Sequence, residues 1–265
     1  GGVCLNEGCI PTKTLLRSAH LLSEALEGKK YGVTIPEASF ELSKVMSRKT
    51  KILKKLGAGI RLGLQNHGVE IVTEEARLTG KTADGFTIAA GESSYSARRV
   101  IIATGSKAFI PPIDGLSDVP YWTAREALEV EELPQSIVVL GGGVIGMEFV
   151  SLFSTLGVDV TVVEMLPKIL GPMDEELSTE LQQAFEKRKV KFHLSTKVTA
   201  VRDGKVIAEH EGEQLEIPFD KLLVSVGRRA VTDALGLETV GVELNRGAIV
   251  VDEHLQTSVP GIYAV

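Results

Sequence analysis

Two features of the 265-residue sequence place residue types that do chemistry at spacings that permit it. The first is Cys4-x-x-x-x-Cys9, which holds both cysteines of the chain. Two cysteines at this spacing admit redox chemistry, metal binding or a pair of inert buried thiols. Structural zinc and iron–sulfur sites take about four ligands. With no third cysteine, and His20 the nearest histidine, no metal site is expected. Five residues of continuous helix rise about 7.5 Å, too far for a disulfide. A pairing of the two therefore implies a non-helical approach at Cys4, with Cys9 near a helix start. Pro11 suits the first turn of that helix, whose N-terminus would stabilise a Cys9 thiolate.

The second feature is Gly141-Gly142-Gly143-Val144-Ile145-Gly146. A lone G-x-G-x-x-G is a weak signal, but here an apolar strand precedes it and a helical pattern follows. Glu164 ends the next strand, 18 residues past Gly146. The arrangement suits a dinucleotide. Gly141 permits the tight turn, Gly143 lets backbone N–H groups approach a pyrophosphate, and Gly146 lets helix and strand pack closely. Glu164 can accept both ribose hydroxyls and would repel a 2′-phosphate. Met165-Leu166 supply no arginine beside it, so NAD is expected rather than NADP. Together the two features suggest electrons passing between a nicotinamide and a dithiol. Thiols seldom take hydride directly, so a relay is needed, and flavin is the usual one.

The elements that must position these residues follow from periodicity. Helices are expected over about Pro11–Leu26 and Leu42–His67, the latter with Val45, Ile52, Leu53, Leu56 and Ile60 on its apolar side. Arg48, Lys49, Lys51, Lys54 and Lys55 read as its solvated face. Short β runs follow at Val69–Val72, Gly85–Ala89 and Arg99–Ala103. Pro111, Pro112, Pro120 and Pro134 then mark a linker-like stretch and a domain boundary. Beyond it the order is Ile137–Leu140 strand, Val144–Leu156 helix, Val158–Glu164 strand, Glu175–Arg188 helix and Val190–Leu194 strand. That alternation implies a parallel sheet. A meander (Val198–Val201, Lys205–Glu209, Gln214–Ile217) and a last strand, Lys221–Val226, complete the block.

Composition narrows the class of function. The formal net charge is −6, with 43% hydrophobic and 24% charged residues, ordinary for a globular protein. No basic run suggests nucleic acid or an anionic membrane. The most apolar stretch, Ile137–Phe153, is broken by glycines and Glu148, so no membrane span is expected. No signal peptide is evident, which points to the cytoplasm or an organelle matrix. The chain lacks an initiator Met, and both ends read as cut from a longer protein.

The sequence Gly1-Gly2-Val3-Cys4-Leu5-Asn6-Glu7-Gly8-Cys9-Ile10-Pro11-Thr12-Lys13 resembles the redox signature of the pyridine nucleotide–disulfide oxidoreductases, and within them the dihydrolipoamide dehydrogenase branch. Three further runs carry the resemblance across the chain: Ile101–Ser106 for the flavin-side motif, Val226–Arg229 for the turn closing the NAD domain, and Thr257–Val265. Val3 and Glu7 depart from the commonest family residues.

The resemblance implies an α/β fold of Rossmann-like, parallel-sheet nucleotide-binding domains. An NAD domain (114–236) would be inserted into a truncated FAD domain (1–113 and 237–265). Cys4 would be the interchange thiol and Cys9 the thiolate facing the flavin, the pair forming a disulfide. Lys13 and Glu148 would pair near the flavin ring. Ala103, Thr104 and Gly105 would lie on the flavin side. Gly141, Gly142, Gly143, Val144, Ile145, Gly146, Glu148, Glu164, Val198 and Gly227 would hold NAD.

The implied reaction oxidises protein-bound dihydrolipoamide through the disulfide and FAD, with NAD⁺ as acceptor. The implied partners are a second copy of the chain and the lipoyl domain of a 2-oxo acid dehydrogenase or glycine cleavage complex. The N-terminal FAD phosphate motif, the following Gly-Asp and the C-terminal His–Glu pair lie outside the sequence, so the chain alone is expected to be inactive. None of His20, His67, His193, His210 and His254 matches that pair, and each is expected to be a surface or structural residue. Rival readings are a glutathione- or mercuric-reductase-like enzyme and a non-catalytic NAD-binding module.

Overall fold

The computed structural model describes residues 2–265; Gly1 of the redox signature lies outside them. The chain opens with helices α1 (Val3–Asn6), α2 (Cys9–Glu27) and α3 (Leu42–Asn66). Strands β1 (Ala76–Thr82), β2 (Gly85–Ala90), β3 (Ser93–Ala97), β4 (Val100–Ile102) and β5 (Ser106–Ala108) follow. Next come α4 (Ala124–Ala127), β6 (Ser136–Leu140), α5 (Val144–Thr155), β7 (Asp159–Val163), α6 (Glu175–Glu186) and β8 (Lys191–His193). The remainder is β9 (Lys197–Arg202), β10 (Lys205–His210), β11 (Glu213–Pro218), β12 (Lys221–Val224), β13 (Arg228–Ala230), β14 (Leu244–Asn245), β15 (Ala248–Ile249) and β16 (Ile262–Ala264). These elements form two compact units, residues 2–57 with 108–227 and residues 58–107 with 228–265.

The first unit is built on a parallel sheet in the order β12-β6-β7-β8. Its strands alternate between two apolar clusters, as a sheet buried on both faces must. Ile137, Val139, Val160, Val162 and Leu223 face α5 with its Phe149, Val150 and Phe153. Val138, Leu140, Val163, Leu222 and Val224 face the antiparallel meander β9–β11 through Val201, Val206 and Ala208. Leu15 and Ala19 of α2 belong to the first cluster, so the dithiol helix packs on the same core as α5. The α/β parallel-sheet architecture expected from the sequence is the one observed.

The second unit has the three-stranded antiparallel sheet β1-β2-β3 and the parallel pair β16-β4. Leu78, Phe86, Ile102, Val259 and Ile262 form its core.

Four sequence expectations change. Val69–Val72 forms no strand, and Val69 and Val72 are both exposed. The strands of this region are instead β1, β2 and β3, of which β1 and β3 carry too many small and polar residues to announce themselves. The proline-punctuated stretch is packed rather than linking. Leu116, Ala127 and Leu128 are buried within it, and Trp122 bridges to Leu223 of β12. Lys49 is not on a solvated face. It is 1% exposed, and its ammonium donates to the Leu128 carbonyl and pairs with Glu129 at 2.7 Å. Cys4 lies in a helical turn of its own, α1, rather than in a non-helical approach.

Candidate active site

Cys4 and Cys9 form a disulfide with a Cα–Cα separation of 4.6 Å. The close approach comes from a break between two helices rather than from extended chain. α1 ends at Glu7, and Gly8, at φ −145° and ψ −115°, redirects the backbone so that α2 begins on Cys9. A side chain on Gly8 would meet the Val3 carbonyl at 3.1 Å, so the return is tight. The Gly8 carbonyl accepts from both the backbone N–H and the hydroxyl of Thr12, which fixes the first turn of α2. Cys9 is therefore the first residue of a 19-residue helix, where the dipole favours negative charge. Both cysteines are exposed.

One turn along α2, the Lys13 ammonium donates to the Glu148 carboxylate of α5. This pair joins the dithiol helix to the helix that follows the glycine turn.

That turn has the geometry an anion needs. Gly141 sits at φ +104°, in the left-handed region, and an added Cβ would lie 2.6 Å from the Ser225 carbonyl. At Gly146 a Cβ would lie 2.3 Å from the Gly141 carbonyl and 2.8 Å from Ser225 Oγ. These two glycines are required by the protein's own packing. Gly143 differs: a Cβ there would touch nothing within 4 Å, because the residue faces open space at the N-terminus of α5. No side chain caps α5, whose first residues are Val144 and Ile145, and uncapped helix N-termini suit anions in general.

Glu164 follows β7, and its carboxylate accepts from Gly142 N–H at 2.6 Å and from Leu166 N–H at 2.7 Å. Its main chain is held as well, by Thr196 N–H and by the His193 carbonyl. The residues expected to hold a dinucleotide pyrophosphate and ribose thus converge at the C-terminal ends of β6 and β7, where ligands bind in open parallel sheets. Val198 is half-buried on β9 beside the meander core, and Gly227 has φ +129° with open space before it. A cleft of about 530 Å³ lies at the opposite, N-terminal ends of these strands, lined by Ser136, Asp159 and Lys191, and takes no part in this arrangement.

In the second unit Ala103, Thr104 and Gly105 are exposed at the end of β4. The Thr104 hydroxyl donates to the Val231 carbonyl at 2.6 Å, and Gly105, at φ +71°, accepts from Val231 N–H.

The histidines are dispersed. His67 contacts the Gly63 carbonyl and His210 contacts Thr196 Oγ1. His193 is half-buried, and burial, then the nearby His210 and Lys191, hold its imidazole below the ordinary histidine value. His20 is exposed, and His254 lies beside Glu253. Among the described residues no cluster of three or more His, Cys, Asp or Glu side chains could hold a metal.

Sequence reasoning missed three members of this region. Ser225 donates to the Leu140 and Gly141 carbonyls and sets the floor of the glycine turn. Glu7, between the cysteines, pairs with Arg125 of α4. The signals present were the unusual carboxylate within the Cys-x-x-x-x-Cys run and the Thr123-x-x-Glu126 capping box that starts α4.

Residues 1–265 match the family described as pyridine nucleotide-disulphide oxidoreductase over their whole length. The chain belongs to that family. It is 38% identical to a dihydrolipoyl dehydrogenase of Acholeplasma laidlawii, covering all of this chain and 79% of that protein. It is 37% identical to the dihydrolipoyl dehydrogenase of Rhizobium etli and 38% identical to the mitochondrial one of Rattus norvegicus, spanning 60% and 54% of their lengths. Among solved structures, the HOCl-induced flavoprotein disulfide reductase RclA of Escherichia coli matches all of the chain and 57% of its own. The TM-score is 0.83 and the identity 26%. No helix among the described residues is long and apolar enough to cross a membrane.

Proposed function

We propose that the protein acts as a dihydrolipoyl dehydrogenase, oxidising protein-bound dihydrolipoamide through the Cys4–Cys9 disulfide and FAD and reducing NAD⁺. The observation that carries this reading lies within the first unit. The disulfide heads α2, the glycine turn heads α5, and Lys13 and Glu148 join the two helices. FAD, when bound, supplies the two-electron relay between dithiol and nicotinamide. Within the first unit Lys13 is proposed to face it, and the residues proposed for NAD are Gly141 to Gly146, Glu148, Glu164, Val198 and Gly227. For NAD the fit rests on the open face of Gly143 and the uncapped start of α5.

The chain's own chemistry is thiol–disulfide exchange. A substrate thiolate attacks the Cys4 sulfur, forming a mixed disulfide and expelling Cys9 as a thiolate. The second substrate thiol then closes the lipoamide disulfide and releases Cys4. Attack at Cys4 is favoured because the better leaving group is the sulfur at the helix N-terminus, Cys9. In the whole enzyme we read 114–236 as the NAD-binding domain, set into an FAD-type domain formed by 1–113 and 237–265. The partners proposed are a lipoyl domain and a second copy of the chain.

The test is exchange with dihydrolipoamide in the purified chain, with free thiols and lipoamide counted together, alongside titration with NADH and NADPH. One lipoamide formed per disulfide opened, with NADH preferred, supports the reading. An unreactive disulfide beside tight NADH binding would point to a dinucleotide-binding module instead.

A further inference from the structure

The loop between the two cysteines carries a carboxylate, and that carboxylate is paired. Glu7 closes α1, its backbone N–H returning to the Val3 carbonyl at 2.8 Å, while its side chain reaches away to Arg125. The pair spans 118 positions of sequence. Donation to Glu7 and its charge hold the Arg125 guanidinium above its ordinary value.

The element that presents Arg125 is firmly seated. α4 begins with a capping box in which Thr123 N–H and hydroxyl both donate to Glu126, and Arg125 N–H donates to Thr123 Oγ1. Its C-terminal side is held by the buried Lys49 through the Leu128 carbonyl and Glu129. Just before α4, Trp122 exchanges backbone hydrogen bonds with β12, to Leu222 at 2.7 Å and from Val224 at 2.8 Å. Arg125 therefore belongs to the parallel-sheet framework, and Glu7 belongs to the short segment between the two cysteines.

We infer that Glu7 and Arg125 are a positioning pair that tethers the Cys4 turn to the sheet framework and keeps the two sulfurs close in the reduced protein. The inference rests on the reading of Cys4–Cys9 as a redox pair. Reduction breaks the S–S bond and yields two thiols, consuming two electrons and two protons from a dithiol reductant that is itself oxidised to a disulfide. Reclosure is intramolecular, so its equilibrium depends on the effective concentration of one sulfur near the other. A tether raises that concentration and makes the disulfide harder to reduce. A charge effect acts differently: Arg125 would favour thiolates and Glu7 would oppose them, so their removals would have opposite signs.

That difference in sign makes the inference testable. The chain, its Arg125→Met and Glu7→Gln variants, and the charge swap Glu7→Arg with Arg125→Glu are equilibrated, without added flavin, against graded ratios of reduced to oxidised dithiothreitol. Free thiols are trapped by alkylation and counted by mass, and circular dichroism checks folding. The expected result is that both single variants become easier to reduce, about two- to fivefold in the equilibrium constant for an exposed pair. This is roughly 10–20 mV where a tenfold change is about 30 mV. The swap should restore the parent value.

Shifts of opposite sign, no shift in either variant, or a swap that fails to restore would overturn the tether while leaving the redox pair standing. A parent disulfide that does not titrate at all would overturn both. Should one single variant fail to fold, the sign of the other together with the swap decides.

Discussion

Glu164 Oε2 accepts the backbone N–H of Gly142 at 2.6 Å, so the acidic residue after β7 and the glycine turn after β6 form one hydrogen-bonded unit. The second oxygen accepts from Leu166 N–H at 2.7 Å, which fixes the carboxylate that we propose to meet the ribose. Replacing Glu164 with Gln removes the charge and one acceptor. NADH binding should weaken roughly tenfold to hundredfold, the span expected for a charged hydrogen bond. The preference over NADPH should narrow at the same time, since a 2′-phosphate would no longer face a carboxylate. Fluorescence titration with both nucleotides measures this, and an unchanged preference would remove Glu164 from the recognition of the ribose.

The three outer glycines of the turn separate ligand binding from folding. Gly143→Ala places a Cβ in open space at φ −74°, a conformation alanine accepts, so it should cost under about 1 kcal/mol of stability. It should nevertheless lower NADH affinity at least about tenfold by filling the approach to the α5 N-terminus. Gly146→Ala forces a Cβ to within 2.3 Å of the Gly141 carbonyl and should cost about 2 kcal/mol or more. Gly141→Ala adds a positive φ to a similar clash. Urea unfolding and NADH titration on the same samples would show the division. A Gly143→Ala protein that binds NADH like the parent would refute the cradle.

The regular part of this arrangement was legible in the sequence because local and global signals agree there. β6, α5 and β7 were expected within a residue or two of their observed bounds. A buried strand, a glycine turn and an apolar helix each carry their own pattern. What stayed hidden depends on tertiary placement. Lys49 sits among six other basic residues on α3, and only the position of Leu128 turns it inward. The Glu7–Arg125 pair joins two segments whose separation no periodicity encodes. α1 was missed because a four-residue helix is too short to show a period, and because helix geometry excluded only a continuous helix across both cysteines. β1 and β3 were passed over since Ala76–Thr82 and Ser93–Ala97 are mostly exposed and lack large apolar residues in alternation.

The half-buried His193 should make stability depend on pH. Burial lowers its folded value below 6.5, and the His210 and Lys191 charges lower it further. Between the unfolded value near 6.5 and the depressed folded value, the unfolded chain binds more protons than the folded one, so stability falls as pH falls through that window. Below the folded value the loss stops growing. His193→Gln should flatten this part of the curve, with a slope smaller by less than one proton just below pH 6.5. Urea midpoints at half-unit steps would reveal it, and parallel curves for parent and variant would assign the acid sensitivity to other groups.

The Lys49 ammonium is the one buried cation of α3, and its two partners are unlike each other. The Leu128 carbonyl belongs to a residue 1% exposed, whereas the Glu129 side chain is 64% exposed. Water can replace Lys49 at Glu129 but not at the Leu128 carbonyl. Lys49→Met keeps the bulk and should cost about 1–3 kcal/mol, the penalty of leaving a buried acceptor unpaired. Glu129→Gln should cost less than about 1 kcal/mol, as exposed ion pairs do. Added salt should scarcely alter the first loss and should shrink the second, because screening acts on the exposed pair. Guanidine-free unfolding, in urea at low and high salt, gives both comparisons. Should Glu129→Gln prove as damaging as Lys49→Met, the ion pair rather than the carbonyl would be what keeps this lysine inside, and the seating of α4 would have to be explained through Glu129.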